Sequence, residues 1–310
     1  MKAMTLNKAY ETLYQKLLSD KTRKKSERVI LKIAITSFFI HLIIIYLVDF
    51  GIIPLHAHSD LLTNPISAIY TPFSFILVYE VYLLVYYLPK SITTYISKQY
   101  EIITLIILRH LFKDLSSLSL SADWFNIKND LQFTYDLIAS LLLFFLIYLF
   151  YVHGKKRTTS EKTNETLIDG VGRFIEIKKI LATSLVIILF LVAIYSFINW
   201  LLSIIYPVAN NGVSFNNINN IFFEQFFTIL IIADVVLLLF SFFNTDEFHK
   251  VIRNSGFIIS TILLRLSFSV AGLLNTTLIV SAILYGLLIL VIHNKFEELA
   301  GNKPIKSGVN

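Results

Sequence analysis

The dominant pattern along this chain is the long apolar run. Stretches of about 18 to 25 apolar residues recur, each long enough to cross a hydrocarbon core of about 30 Å. They predict membrane helices over roughly 31–50, 66–88, 99–117, 133–153, 180–206, 222–243, 255–272 and 276–293. Ahead of them, Leu6, Tyr10, Leu13, Tyr14 and Leu17 recur at three- and four-residue spacings, with Lys8, Glu11, Gln15 and Lys16 between them. That spacing predicts an amphipathic helix on a membrane surface, followed by the basic run KTRKKSER that meets anionic headgroups.

The runs repeat as a set. Phe75 to Ser116 and Phe227 to Gly272 each read as an apolar helix with one acid, a polar hairpin, and a second apolar helix with one arginine. The run Lys32-Ile-Ala-Ile-Thr-Ser37 returns as Lys179-Ile-Leu-Ala-Thr-Ser184. LIAS at Leu137 and VHGK at Val152 return as LIVS at Leu278 and IHNK at Ile292. The expectation is an all-α integral membrane protein of about eight transmembrane helices in two parallel four-helix repeats, because an even number of spans gives both units one orientation. The repeats cover 31–153 and 180–294. A cytoplasmic segment 1–30 precedes them, a basic linker 154–179 joins them, and a tail 295–310 follows.

Composition agrees: 55% of the residues are hydrophobic and 15% charged. The net charge of +6 is not a nucleic-acid signature, because the basic residues are concentrated on one side of the predicted spans. Segments 1–32, 89–98, 154–179, 244–253 and 295–310 hold 23 of the 27 Lys and Arg. This positive-inside distribution places both termini in the cytoplasm and suits a bacterial inner membrane, with anionic lipid as a surface partner. Cysteine is absent, which excludes disulfides, thiolate metal sites and a cysteine nucleophile. The first apolar run begins near Val29 with no small-residue cleavage site after a short core, so it reads as a retained helix.

An ionised side chain at bilayer depth is costly and marks a partner or a watery cavity. Glu80 and Arg109 lie about 12 and 15 Å from the cytoplasmic ends of their predicted helices, and Asp234 and Arg265 about 13 to 14 and 15 to 16 Å. Each acid can therefore meet its arginine across the hairpin, either as a structural lock or as part of a polar pathway. Thr261, Arg265 and Ser269 share one helix stripe, and Thr277, Ser281 and Tyr285 another. Such stripes suit a wet interior or close helix packing. His41, mid-way along the first span, can carry a proton or simply accept a hydrogen bond. His56, His58 and Asp60, in an outer loop, offer imidazole and carboxylate ligands of the type zinc or copper takes. No P-loop, dinucleotide glycine pattern, HExxH or GxSxG occurs, so neither a catalytic site nor a cofactor is expected.

Glu80 with Leu108-Arg109-His110-Leu111-Phe112, and Asp234 with Leu264-Arg265-Leu266-Ser267-Phe268, resemble the phosphate-starvation-inducible (PsiE-like) family of four-helix membrane proteins. The resemblance covers the second and third helices of each repeat and implies architecture rather than activity; the duplication is a departure from the family. Voltage-sensor domains also have four helices and internal charge pairs, but steep voltage dependence needs several gating charges, and each unit here has one arginine. The leading expectation is a transporter or channel-like protein for a small ion or anionic solute. The alternative is a non-transporting, stress-related sensor or scaffold. Homo-oligomerisation is open under either.

Overall fold

A backbone entering an apolar phase must satisfy its own N–H and C=O groups, and a helix does so within one segment. The computed structural model of the chain describes residues 2–52, 65–115, 128–161, 169–205, 215–243, 247–268, 270 and 272–301, and contains helices with no strand among them. In chain order these are α1 (Lys2–Leu18), α2 (Asp20–Asp49), α3 (Tyr70–Tyr87), α4 (Ile92–Leu115), α5 (Lys128–Glu161), α6 (Asp169–Ile205), α7 (Phe215–Phe243), α8 (Phe248–Ser267) and α9 (Leu273–Gly301). A 3₁₀ turn, Pro65–Ile69, leads into α3.

Five of them, α2, α5, α6, α7 and α9, are long and apolar enough to cross a membrane. Their outward faces are apolar: Ile35, Phe39 and Ile43 on α2, and Leu141, Phe145 and Tyr148 on α5, are each more than half exposed. Soluble proteins rarely leave such continuous apolar faces uncovered. The structure is thus all-α and compatible with an integral membrane protein.

Where the sequence predicts eight spans, the described structure supports five. The apolar part of α3, Thr71–Tyr87, is shorter. Helices α4 and α8 start at Ile92 and Phe248, seven residues before the predicted starts at 99 and 255. Their added turns are polar, and on α8 Arg253, Asn254, Ser260, Thr261, Arg265 and Ser267 are all buried. A helix wrapped by apolar neighbours turns its polar groups inward, so its sequence need not read as a lipid-facing span. The basic segment 154–179 is largely helical, because α5 continues to Glu161 and α6 begins at Asp169.

Neighbouring helices pack in sequence from α2 to α5 and again from α6 to α9. Across the two sets, α9 lies against α5, α8 against α4, and α6 against α3. Thr276 Oγ1 donates to Asp136 Oδ1 at 2.6 Å, and Asn294 Nδ2 donates to the His153 carbonyl at 3.0 Å. These bonds join the early turns of α5 and α9 to each other and the late turns likewise, so the two helices run parallel. Between them, Tyr100 and Phe150 meet edge to face at 5.0 Å, and Phe257 follows at 5.7 Å from Phe150. Gly286 admits this cluster: a Cβ there would sit 1.9 Å from the Tyr100 hydroxyl.

The N-terminal helix does not stand apart. It packs on α6, where Lys179 Nζ lies 3.6 Å from Glu11, and Tyr82 of α3 donates to the Leu17 carbonyl at 2.8 Å. Ser19 alone separates α1 from α2; its extended backbone and hydroxyl, which accepts from Thr22 N at 3.2 Å, cap the second helix. Such a cap satisfies one of the orphan amides of a helix start.

Candidate functional site

Asp234 is the single acid in an apolar stretch of α7, nine residues before its end at Phe243, and is fully buried. Arg265 stands in the last turn of α8 and is 2% exposed. With α8 starting at Phe248, the arginine Cα lies about 25 Å along the helix, farther than the sequence estimate. The pair still forms, with Arg265 Nη1 2.7 Å from Asp234 Oδ2. Helical side chains lean back toward the N-terminus, which gives a long arginine the reach to recover much of that offset.

The first half of the chain completes this pair. Tyr95 of α4 donates its hydroxyl hydrogen to Asp234 Oδ1 at 2.8 Å, and Arg265 Nη2 donates to Gln99 Oε1 at 2.9 Å. Tyr95 and Gln99 are one helical turn apart and share a face. Thr261 lies 3.4 Å from Asp234 Oδ2, but its hydroxyl is closer to the Ile258 carbonyl, at 2.9 Å. A buried ion pair holds only when its remaining polar atoms find partners. Here that condition is met for the carboxylate and in part for its neighbours: Arg265 Nε and Gln99 Nε2 are buried without a hydrogen-bond partner.

The bundle has two clefts, neither lined by Asp234 or Arg265 itself. One, of 340 Å³ including space open to the outside, is lined by Leu88, Tyr95, Phe174, Lys178, Ser241 and Asn254. The other, of 330 Å³ measured likewise, is lined by Ile107, Asp136, Phe268, Asn275 and Thr276. They lie at opposite ends of the bundle. Tyr95 joins the first cleft to Asp234, while Phe268 of the second follows Arg265 by three residues.

At the end where α7 stops and α8 starts, Arg253 Nε and Nη2 donate to Asn254 Oδ1 at 3.0 Å, and Asn254 Nδ2 donates to Ser241 at 2.7 Å. Arg253 Nη1 lies 3.1 Å from His293 Nε2, and Glu297 Oε1 is also 3.1 Å from that nitrogen. His249 stacks on His293 at 5.2 Å, and the ligating atoms of His249, His293 and Glu297 lie within 4.8 Å of one another. This is metal-ligand chemistry, but a guanidinium at His293 Nε2 opposes a second cation, so the group reads as a hydrogen-bonded network. Glu247, before α8, receives a 2.8 Å hydrogen bond from Lys250 that holds its carboxyl below the usual range.

The sequence-predicted residues divide accordingly. Thr261, Arg265 and Asp234 come together. Glu80 is buried in α3, whereas the side chain of Arg109 on α4 lies outside the described residues, as do Ser269, His56, His58 and Asp60. His41 hydrogen-bonds Thr71, away from the charged pair. The α9 stripe differs from the expected inward orientation: Thr277 and Ser281 are exposed and Tyr285 is half-buried. Thr277 gives its hydroxyl hydrogen to the Leu273 carbonyl at 2.8 Å, which satisfies it on its own helix. Tyr95 and Gln99 were not legible as site residues, since nothing local links them to residues more than a hundred positions away. No protein-family model, curated protein or solved structure matches the chain.

Proposed function

We propose that this protein is a membrane transporter or channel-like protein of eight spans, in which two parallel four-helix repeats enclose a charged site at their contact. The observation that carries this reading is the placement of the Asp234–Arg265 pair: α7 and α8 supply it, α4 completes it, and Tyr95, which holds Asp234, also lines a cleft. The parallel run of α5 and α9 supports the repeat. So does the register of the two arginines, each seventeen residues after the start of its helix, Ile92 or Phe248.

In this mechanism Arg265 holds a small anion through Nε, which is left uncommitted when the site is at rest, and through Nη1 once Asp234 is displaced. Asp234 balances the guanidinium between cycles and takes up a proton when the anion displaces it. Tyr95 relays that proton from the first cleft through the hydroxyl it already shares with Asp234. The positive-inside distribution sets both termini in the cytoplasm of a bacterial inner membrane. The test is flux of a panel of small anions and protons in vesicles reconstituted with wild type, Arg265→Gln and Asp234→Asn. Wild-type flux that survives in folded variants overturns the assignment of these two residues, and absence of wild-type flux overturns transport.

The near-complete burial and close pairing of the same two side chains favour a second reading, in which they lock the helices of a non-transporting sensor or scaffold. The resemblance of the hairpins to a stress-induced family suits that role. It predicts no flux and a protein partner recovered through residues 154–179.

A further inference from the structure

Lys178 of α6 is 6% exposed, yet among the described residues no carboxylate stands beside its ammonium group. Its hydrogen bond is to the Lys90 carbonyl at 3.1 Å, in the turn between α3 and α4, and its Nζ lies 4.5 Å from the centre of the Phe174 ring. An ammonium carries three donors, and a carbonyl dipole with a ring face offsets only part of a desolvated charge. Two donors remain, on a side chain that lines the first cleft.

The same cleft is lined by Ser241 of α7 and Asn254 of α8. Asn254 Nδ2 spends one hydrogen on Ser241 and keeps the second; Ser241 accepts that bond and keeps its own hydrogen to give. Behind the amide stands Arg253, 7% exposed, also without a carboxylate partner among the described residues. Three helices therefore bring donors to one cleft that Lys178 lines and Arg253 backs; among the described residues the carboxylates that adjoin it, Asp234 through Tyr95 and Glu297 through His293, are held by those groups. Leu88, Ile92, Leu237, Leu238 and Ile258 give the cleft an apolar wall that suits the carbon of an ester, and the Tyr95 hydroxyl beside them is committed to Asp234.

The geometry points to a binding site for a phosphate group in this cleft, anchored by Lys178 and oriented by Ser241 and Asn254. The phosphate comes either from an anionic lipid headgroup or from free inorganic phosphate. A phosphate brings the missing negative charge and several acceptor oxygens, which is what the donors lack. The site adjoins the Asp234–Arg265 pair through Tyr95 but uses neither of its side chains, and it stands whether or not the chain transports.

The experiment uses the full-length protein with two probes. Native mass spectrometry measures retention of phosphatidylglycerol against phosphatidylcholine, and thermal-shift titration with inorganic phosphate in lipid-free detergent measures the free ion. Lys178→Met is expected to lower binding of the operative probe at least tenfold, Lys178→Arg to keep most of it, and Ser241→Ala to weaken it severalfold. Lys21→Met, which removes an exposed lysine, leaves it unchanged. Loss on the lipid arm alone assigns the headgroup, and loss on the phosphate arm alone assigns the free ion. Should Lys178→Met fail to fold, Ser241→Ala and Lys178→Arg are read against the same titrations. Binding that is equal in wild type and the Lys178 and Ser241 variants, or absent from wild type with both probes, overturns the site.

Discussion

Replacing Asp234 by asparagine and Arg265 by glutamine removes one partner each from the same buried pair, but the two losses are not equivalent. Both side chains are almost fully buried, so either change falls in the range of about 3–5 kcal/mol for breaking a buried ion pair. In the Asp234→Asn variant a guanidinium remains with Gln99 as its hydrogen-bonding neighbour, and a guanidinium does not lose its proton in a protein. Its deficit should therefore lie near the top of that range. In Arg265→Gln a carboxyl remains, still holding the Tyr95 hydroxyl, so its deficit should be the smaller of the two. Reversible unfolding in mixed dodecyl-sulfate and maltoside micelles measures both deficits. The double variant, whose two amides can pair, should lie within about 2 kcal/mol of wild type. An Arg265→Gln deficit larger than that of Asp234→Asn, or an Asp234→Asn deficit under about 1 kcal/mol, would refute this reasoning.

Gly286→Ala should cost about 1–3 kcal/mol by overpacking, because the new methyl meets the Tyr100 hydroxyl, and adding Tyr100→Phe should recover part of the loss in the same unfolding assay. Phe39→Arg, on the outward face of α2, should raise the cost of membrane insertion by about 2.5–3.5 kcal/mol; unchanged insertion in a translocon assay would argue that this face does not meet lipid. The carboxyl of Glu247 is held low by Lys250, so their contact stabilises the fold above the ordinary carboxylate range and is lost as the pH falls through the lower folded value. The melting temperatures of wild type and Glu247→Gln should accordingly differ at neutral pH and converge below about pH 4; a constant difference would show that the pairing is not responsible.

The apolar runs located α2, α5, α6, α7 and α9 because a lipid-facing helix must display its hydrophobicity all along the sequence. They located α8 less well, since its exposed residues are few and Arg253 and Asn254 turn inward, where periodicity is masked by polar identity. Asp234 and Arg265 stood out as charges in apolar surroundings, which is a local signal. Tyr95 and Gln99 gave none, because a tyrosine and a glutamine near the start of a helix read as ordinary interfacial residues until the fold sets them beside Asp234 and Arg265. Lys178 was hidden for a related reason: within a basic segment it counts as one more orienting charge, and only the packing of α6 against α3 and α7 separates it from its solvated neighbours.

The two polar bonds that tie α5 to α9, Asp136 to Thr276 and His153 to Asn294, are far apart along both helices. A pair fastened at both ends can neither slip by a turn nor splay at one side without breaking a bond. It therefore behaves mechanically as a single beam. A rearrangement of the bundle that slides or parts these two helices must break both bonds, whereas one that carries them together leaves both intact.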